Sequence, residues 1–206
     1  MKNILVTGGN GQLGRELNDI APVFGSFQFT FTDVAELDLL DSSVVTKFLA
    51  DNKFDFIINC AAYTAVDKAE QEYDLCRKIN AEAVHTLAKA IKNTSTRLIH
   101  VSTDYIFNGG AHQPIAETET PDPLSVYGKT KLEGEQLVQR ELTNAYIIRT
   151  SWVYSTHGNN FVKTIMRLAE QKPDGCSVAD QLGTPTYAKD LGAGIMSIVV
   201  SVASVK

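Results

Sequence analysis

Tyr127 and Lys131 stand four residues apart in Val126-Tyr127-Gly128-Lys129-Thr130-Lys131. On a helix, positions i and i+4 share a face. A lysine ammonium beside a phenol favours the phenolate and lowers the phenol's pKa. A phenol tuned toward neutral pH is a usable general acid or base. Near the start of the chain, Thr7-Gly8-Gly9-Asn10-Gly11-Gln12-Leu13-Gly14 offers a backbone on which a dinucleotide could lie. Together the two segments point to nicotinamide-dependent chemistry at a carbonyl or an alcohol.

The glycine run satisfies two spacings. Gly8, Gly11 and Gly14 read G-x-x-G-x-x-G, and Gly9, Gly11 and Gly14 read G-x-G-x-x-G. Alone, either pattern is also an ordinary tight turn. Here an apolar run precedes it and a helical pattern follows, the context that lets backbone N–H groups and a helix N-terminus meet a pyrophosphate. Asp33 lies 19 residues past Gly14, at the end of a second apolar run. An acid there would accept hydrogen bonds from ribose hydroxyls and repel a 2′-phosphate, which favours NADH. Arg15 pulls the other way, because an arginine can pair with that phosphate. Asp38 and Asp41 could bracket an adenine, or Asp41 could simply cap a helix. Asn59-Cys60-Ala61-Ala62-Tyr63 and Ser102-Thr103-Asp104-Tyr105 each follow an apolar run. Small residues and hydroxyls at strand C-termini sit where open α/β sheets bind ligands. A hydroxyl there could also donate to a substrate carbonyl oxygen.

Composition narrows the class. The chain has 206 residues, 44% hydrophobic and 21% charged, with a formal net charge of −5. That suits a globular domain with a sizeable core. Without a basic tract, nucleic acid and anionic membranes are poor partners. Cys60, Cys76 and Cys176 are far apart and odd in number, and no Cys/His group has metal spacing. They read as reduced thiols, and the expected location is the cytoplasm. The N-terminal apolar run is too short for a signal peptide. The apolar stretch Leu191–Val205 falls short of the roughly 18 to 20 residues that span a bilayer.

The elements that must hold these residues alternate. Strands are expected at Asn3–Thr7, Gln28–Thr32, Phe56–Asn59, Arg97–Thr103 and Ala145–Thr150, with a short one at Cys176–Val178. Helices are expected over Gln12–Ala21, from an Asp41 cap to Asn52, Asp67–Asn93, Leu124–Leu142, Asn159–Gln171 and Tyr187–Ala203, with a loop over Gly109–Pro123. Strand–helix alternation at this spacing means βαβ units. The expected fold is α/β, a Rossmann-type doubly wound parallel sheet over residues 1–150. Residues 151–206 form a small, incomplete substrate-binding region.

The ordered motifs resemble the extended short-chain dehydrogenase/reductase superfamily. Longer strings narrow the resemblance: Ala61-Ala62-Tyr63-Thr64-Ala65-Val66-Asp67-Lys68-Ala69-Glu70, Ser102-Thr103-Asp104-Tyr105-Ile106-Phe107, Arg149-Thr150-Ser151-Trp152-Val153-Tyr154, Gly158-Asn159-Asn160-Phe161 and Asp180-Gln181-Leu182-Gly183-Thr184-Pro185-Thr186. These are similar to the dTDP-4-dehydrorhamnose reductase family over essentially the whole chain. The resemblance implies catalytic roles for Thr103, Tyr127 and Lys131. It implies that Gly8, Gly11, Gln12, Leu13, Gly14, Asp33, Asp38, Leu39, Ala62, Tyr63 and Thr64 line NADH or NADPH, together with Tyr127 and Lys131. Val66, Thr103, Asp104 and Trp152 would contact a dTDP-4-dehydro-6-deoxy sugar. The implied reaction reduces its 4-keto group, a step toward surface polysaccharide. Magnesium is implied by the resemblance alone, and a homodimer is one assembly it leaves open. Members of the family continue past the helix that ends this chain at Lys206. The apolar residues of Tyr187–Val205 are therefore expected to lack cover.

Two other readings compete. One is a nucleotide-sugar epimerase or dehydratase of the same superfamily, although Asp104 is the only acid beside the threonine. The other is a non-catalytic regulatory subunit that keeps the fold and the cofactor site. The complete Thr103/Tyr127/Lys131 set argues against it.

Overall fold

Ile4 and Val6 point to one side of the first strand and Leu5 to the other, and all three are fully buried. A strand apolar on both faces belongs inside a sheet covered on both sides. The computed structural model describes residues 1–110, 113–171 and 183–204. It shows five strands: β1 (Lys2–Thr7), β2 (Phe27–Thr32), β3 (Phe56–Asn59), β4 (Arg97–Thr103) and β5 (Tyr146–Thr150). They pair in parallel in the order β2-β1-β3-β4-β5. The chain moves to one side of β1 for β2 and to the other for β3. That reversal leaves a crevice beyond the C-terminal ends of β1 and β3, the place where open parallel sheets bind ligands.

Helices cover both faces. On one, α1 (Gln12–Ile20) supplies Leu13 and Leu17 to a core with Ile4, Val6, Phe56, Ile58 and Ile99. On the other, α2 (Ser42–Asp51) and α5 (Ala83–Ile91) pack Val45, Val84, Leu87, Ala88 and Ile91 on Leu5, Ile57 and Leu98. The α2 N-terminus is held by Asp41, whose carboxylate accepts from Ser43 N at 3.0 Å and Val44 N at 3.1 Å. The helix expected over Asp67–Asn93 is broken into α3 (Val66–Ala69), α4 (Tyr73–Arg77), one widened turn over Lys78–Glu82 and then α5. Asn80 explains the widened turn. Its side chain accepts from Tyr63 N at 2.9 Å and donates to Tyr63 O at 3.1 Å, clamping the loop after β3. Such turns within a helix often serve a local contact of this kind.

The helix with the Tyr/Lys pair, α6 (Val126–Glu141), starts where Ser125 accepts from Gly128 N at 3.1 Å. It lies close against its neighbours. A Cβ on Gly128 would stand 2.2 Å from Tyr105 O, and one on Gly134 would stand 2.2 Å from Asn80 O. Beyond β5 come β6 (Val153–Tyr154), α7 (Phe161–Gln171), β7 (Thr186–Tyr187) and α8 (Ala188–Ser204). The short parallel pair β6–β7 was not expected from the sequence, because its contact spans more than thirty positions. The strand expected at Cys176–Val178 lies outside the described residues.

One expectation is overturned. The apolar residues of α8 do not lack cover: Ile195, Met196 and Val199 are fully buried against α1 and the first sheet face. The exposed apolar surface lies on α7 instead, at Phe161, Val162, Ile165, Met166 and Leu168. No described helix is long and apolar enough to cross a membrane.

Candidate active site

The glycine loop turns from β1 into α1 with almost no space to spare. Gly8 has φ +69°, and a Cβ on it would lie 2.7 Å from Ala61 N. A Cβ on Gly14 would lie 2.4 Å from Gly8 O and 2.7 Å from the Gly9 Cα. Only glycine allows both the left-handed turn and this approach. The first residue before α1 is Gly11, which brings no capping side chain, and the first turn carries no acid. The leading N–H groups and the positive end of the helix are thus available to an anion. This cradle fits a dinucleotide pyrophosphate. At the end of β2, Asp33 accepts from Asn10 N and Val34 N, each at 2.9 Å. Its carboxylate is thereby fixed at the rim.

Two adjoining clefts meet over this loop. The first, about 450 Å³, is lined by Gly8, Gly11, Asp33, Asp38, Leu39 and Ala62 among others. The second, about 530 Å³, is lined by Gly11, Gln12, Leu13, Ala62, Thr64, Val66, Thr103, Asp104, Tyr127, Lys131 and Trp152 among others. Asn10, Gly11, Cys60 and Ala62 belong to both. Residues spread from position 8 to position 152 are therefore gathered in one continuous crevice. Two candidates line neither cleft. Gly14 sits behind the loop, where it permits the close approach of α1. The Tyr63 hydroxyl donates to Glu72 at 2.6 Å, and its backbone is clamped by Asn80.

At the second cleft, Thr103 ends β4. Its hydroxyl donates to Asp104 Oδ1 and accepts from Tyr105 N, each at 3.2 Å. Burial raises the Asp104 carboxyl above its ordinary value, and the Thr103 hydroxyl works against that shift. The Tyr127 ring meets the Tyr105 ring edge-on, 5.5 Å between centroids. Burial pushes the Tyr127 phenol up to about 12, against a lowering contribution from Thr103. This differs from the lowered phenol that the Tyr/Lys spacing suggests. Lys131 shows why. Its Nζ donates to Val101 O at 2.7 Å, so the ammonium is engaged by β4, and no lowering of the phenol comes from it. Burial pushes Lys131 down to about 8, while the nearest acidic groups, led by Glu135, pull it back up. Tyr127 is thus a loaded acid across the neutral range.

Trp152 forms the far wall. It is the only described non-glycine residue with positive φ, at 48°. Its ring meets Phe161 edge-on at 5.1 Å, and a Cβ on Gly183 would fall 2.3 Å from its Nε1. Backbone held in this region costs roughly 1 to 3 kcal/mol and persists where the surroundings impose it.

Sequence reasoning placed Asn59, Cys60 and Ser102 at ligand-binding strand ends without distinguishing their side chains, and it missed His100. Cys60 lines both halves, and burial raises its thiol to about 12. Ser102 Oγ and Thr150 Oγ1 line the second cleft and are buried without a hydrogen-bond partner among the described residues. His100 and Asn59 lie beneath Lys131. The apolar runs of β3 and β4 placed these positions in the sheet interior, but nothing local marked them as connected. Glu16, Asp19 and His157 also come together, their ligand-type atoms within 4.8 Å of one another. Ser155 donates to Glu16 at 2.6 Å, and His157 lies 2.7 Å from Asp19. Those hydrogen bonds account for the group.

The parallel sheet, the glycine cradle at its switch point and the Thr/Tyr/Lys cleft beside it define an extended short-chain dehydrogenase/reductase fold. The sequence model for the RmlD substrate binding domain matches residues 1–205, and the chain belongs to that family. A dTDP-4-dehydrorhamnose reductase from Aggregatibacter actinomycetemcomitans is 40% identical over 198 residues, covering 96% of this chain and 67% of that one. The crystal structure of a dTDP-4-dehydrorhamnose reductase from Clostridium acetobutylicum is 43% identical with a TM-score of 0.92, over 97% of this chain and 70% of that one. The Bacillus anthracis dTDP-4-dehydrorhamnose reductase, solved with NADP, is 39% identical with a TM-score of 0.91, over 97% of this chain and 71% of that one. The chain spans about two thirds of the length of the curated relatives it matches.

Proposed function

We propose that this protein reduces the 4-keto group of dTDP-4-dehydro-L-rhamnose to the alcohol of dTDP-L-rhamnose, using a reduced nicotinamide dinucleotide. The observation that carries the reading is the Tyr127 phenol. It lines one cleft together with Thr103, Lys131 and the loop residues Gly11, Gln12 and Leu13, and a phenol there carries its proton at neutral pH. The bound cofactor would supply hydride to the sugar C4. Tyr127 gives its proton to the C4 oxygen, and the Thr103 hydroxyl orients that oxygen and donates to its developing charge. Lys131 holds the nicotinamide ribose. Gly8, Gly11, Gln12 and Leu13 hold the pyrophosphate. Asp33, Asp38, Leu39, Ala62 and Thr64 line the rest of the dinucleotide, and Val66, Asp104 and Trp152 flank the sugar nucleotide.

The test is cofactor oxidation with a panel of nucleotide 4-ketosugars. Oxidation should be fastest with the dTDP-4-dehydro-6-deoxy sugar. A protein that binds cofactor but oxidises it with no member of the panel defeats the proposal.

Cofactor choice depends on two residues on one cavity wall, since Asp33 and Arg15 line the same recess behind the loop. The Asp33 carboxylate at the rim supports tighter NADH than NADPH, because a 2′-phosphate would meet its charge. Fluorescence titration of both should show this order. Arg15→Met should weaken NADPH further and leave NADH unchanged. Clearly tighter NADPH in the unaltered protein would transfer the deciding role to Arg15.

A further inference from the structure

Beneath the cleft runs a string of buried polar side chains that crosses three strands. Thr7 Oγ1 donates to Asn59 Oδ1 at 2.7 Å. The same oxygen accepts from Ala61 N at 3.2 Å. The Asn59 amide is thereby fixed with its oxygen toward β1 and its nitrogen toward β4. That nitrogen lies 3.0 Å from His100 Nδ1. An amide nitrogen can only donate, so Nδ1 must carry the lone pair, and a neutral imidazole then carries its proton on Nε2. His100 Nε2 in turn lies 3.5 Å from Lys131 Nζ. All four side chains are essentially inaccessible to solvent.

The last contact has a consequence for charge. A protonated Lys131 has three donors and no acceptor, so the ammonium and the Nε2–H face each other as two donors. An uncharged amine would instead offer its lone pair to that N–H. We propose that His100 is a positioning residue for Lys131. Its tautomer is locked from the glycine-loop side by Thr7 and Asn59, and it presents a donor to the lysine nitrogen, tying the lysine's charge and reach to the strand that opens the cofactor loop. The other groups facing Lys131 are Cys60 from the end of β3, Cys76 from α4 and Glu135 from its own helix, whose carboxylate is engaged by Arg149 at 2.8 Å. None of them presents a hydrogen to Nζ in this fixed way. Burial and the neighbouring lysine hold His100 itself far below the ordinary imidazole value, in keeping with a neutral ring.

The inference rests on the proposed function only through Lys131, and its test does not need the cofactor. The Lys131 side chain, labelled at Nζ and Cε and identified by the signal lost in Lys131→Met, is titrated by NMR in the cofactor-free protein. Two isosteres separate the two ends of the ring. His100→Asn keeps an acceptor for the Asn59 amide and removes the N–H aimed at Lys131. His100→Gln can restore an N–H near the Nε2 position. With His100→Asn the Lys131 midpoint should rise by about half a pH unit or more, roughly threefold in its proton affinity. With His100→Gln it should stay near wild type. NADH affinity followed against pH should move its alkaline limb by the same amount in His100→Asn. An unchanged midpoint in His100→Asn, or an equal shift in both variants, overturns the inference. If His100→Asn fails to fold, Asn59→Leu provides the second route, without adding a charge. The change removes the donor that fixes Nδ1 as acceptor, which frees Nε2 to turn acceptor toward the ammonium, and the Lys131 midpoint should rise. A midpoint that stays put in that variant also overturns the inference. A normal Lys131 response in a protein that binds no NADH would instead count against the proposed function alone.

Discussion

Replacing Tyr127 with Phe should lower turnover by about 10²- to 10⁴-fold, the usual scale for a lost general acid, with cofactor affinity nearly unchanged. The change removes one oxygen and keeps the ring that packs edge-on against Tyr105. Folding should therefore survive, and a lost rate can be assigned to the missing proton. Two companions locate the effect. Lys131→Met should damage both rate and cofactor affinity, because the amine is buried at the cleft and would hold the ribose. Thr103→Val should cost one hydrogen bond to developing charge, on the order of 2 to 4 kcal/mol of barrier. The measurement is steady-state cofactor oxidation beside a binding titration. A Tyr127→Phe rate near wild type would mean that the proton comes from elsewhere, and the assignment of Tyr127 would fail.

Gly8→Ala should be strongly damaging in the cofactor loop. The left-handed backbone at φ +69° costs a side-chain-bearing residue roughly 1 to 2 kcal/mol. The new methyl would also press on the Ala61 and Cys60 backbone at 2.7 to 2.9 Å, and overpacking of that kind costs roughly 1 to 3 kcal/mol. The sum, about 2 to 5 kcal/mol, corresponds in a chain of this size to a melting temperature lower by about 4 to 20 °C. Relief can come only by separating β1 from the loop after β3, which opens the floor of the cleft. NADH binding should therefore weaken in the fraction that remains folded. Gly25→Ala is the control, since a Cβ there meets nothing within 4 Å. Equal melting temperatures and affinities for the two variants would show that the loop yields more easily than its contacts imply.

What was legible in the sequence was whatever depends on near neighbours. The apolar run Ile4-Leu5-Val6, the glycines that follow, the Asp41 cap and the Tyr127/Lys131 helix are each written within a few residues. They led to the correct parallel α/β sheet. The widened turn at Lys78–Glu82 was not legible, because Asn80 bends the helix for the sake of Tyr63, 17 positions away. Nor was the direction of Lys131. The i, i+4 rule puts it on the same face as Tyr127, but the carbonyl of Val101 decides where its nitrogen ends. The cover over α8 could have been suspected from Ile195, Met196 and Val199, which repeat at helical spacing. The partner face on α1 is far away in the chain, and reading the tail alone made those residues look stranded.

The return of α8 to α1 changes how the stretch between β5 and α8 should be regarded. That stretch leaves the body at the sheet's ligand-binding end and is fastened again by the buried side of α8. Between those ends it is pinned again to α1, by Ser155 to Glu16, His157 to Asp19 and Asn160 to Gln12. Through these bonds the segment that carries the Trp152 wall is buttressed on the same helix that opens the cofactor cradle, so a disturbance of α1 is felt on both sides of the cleft.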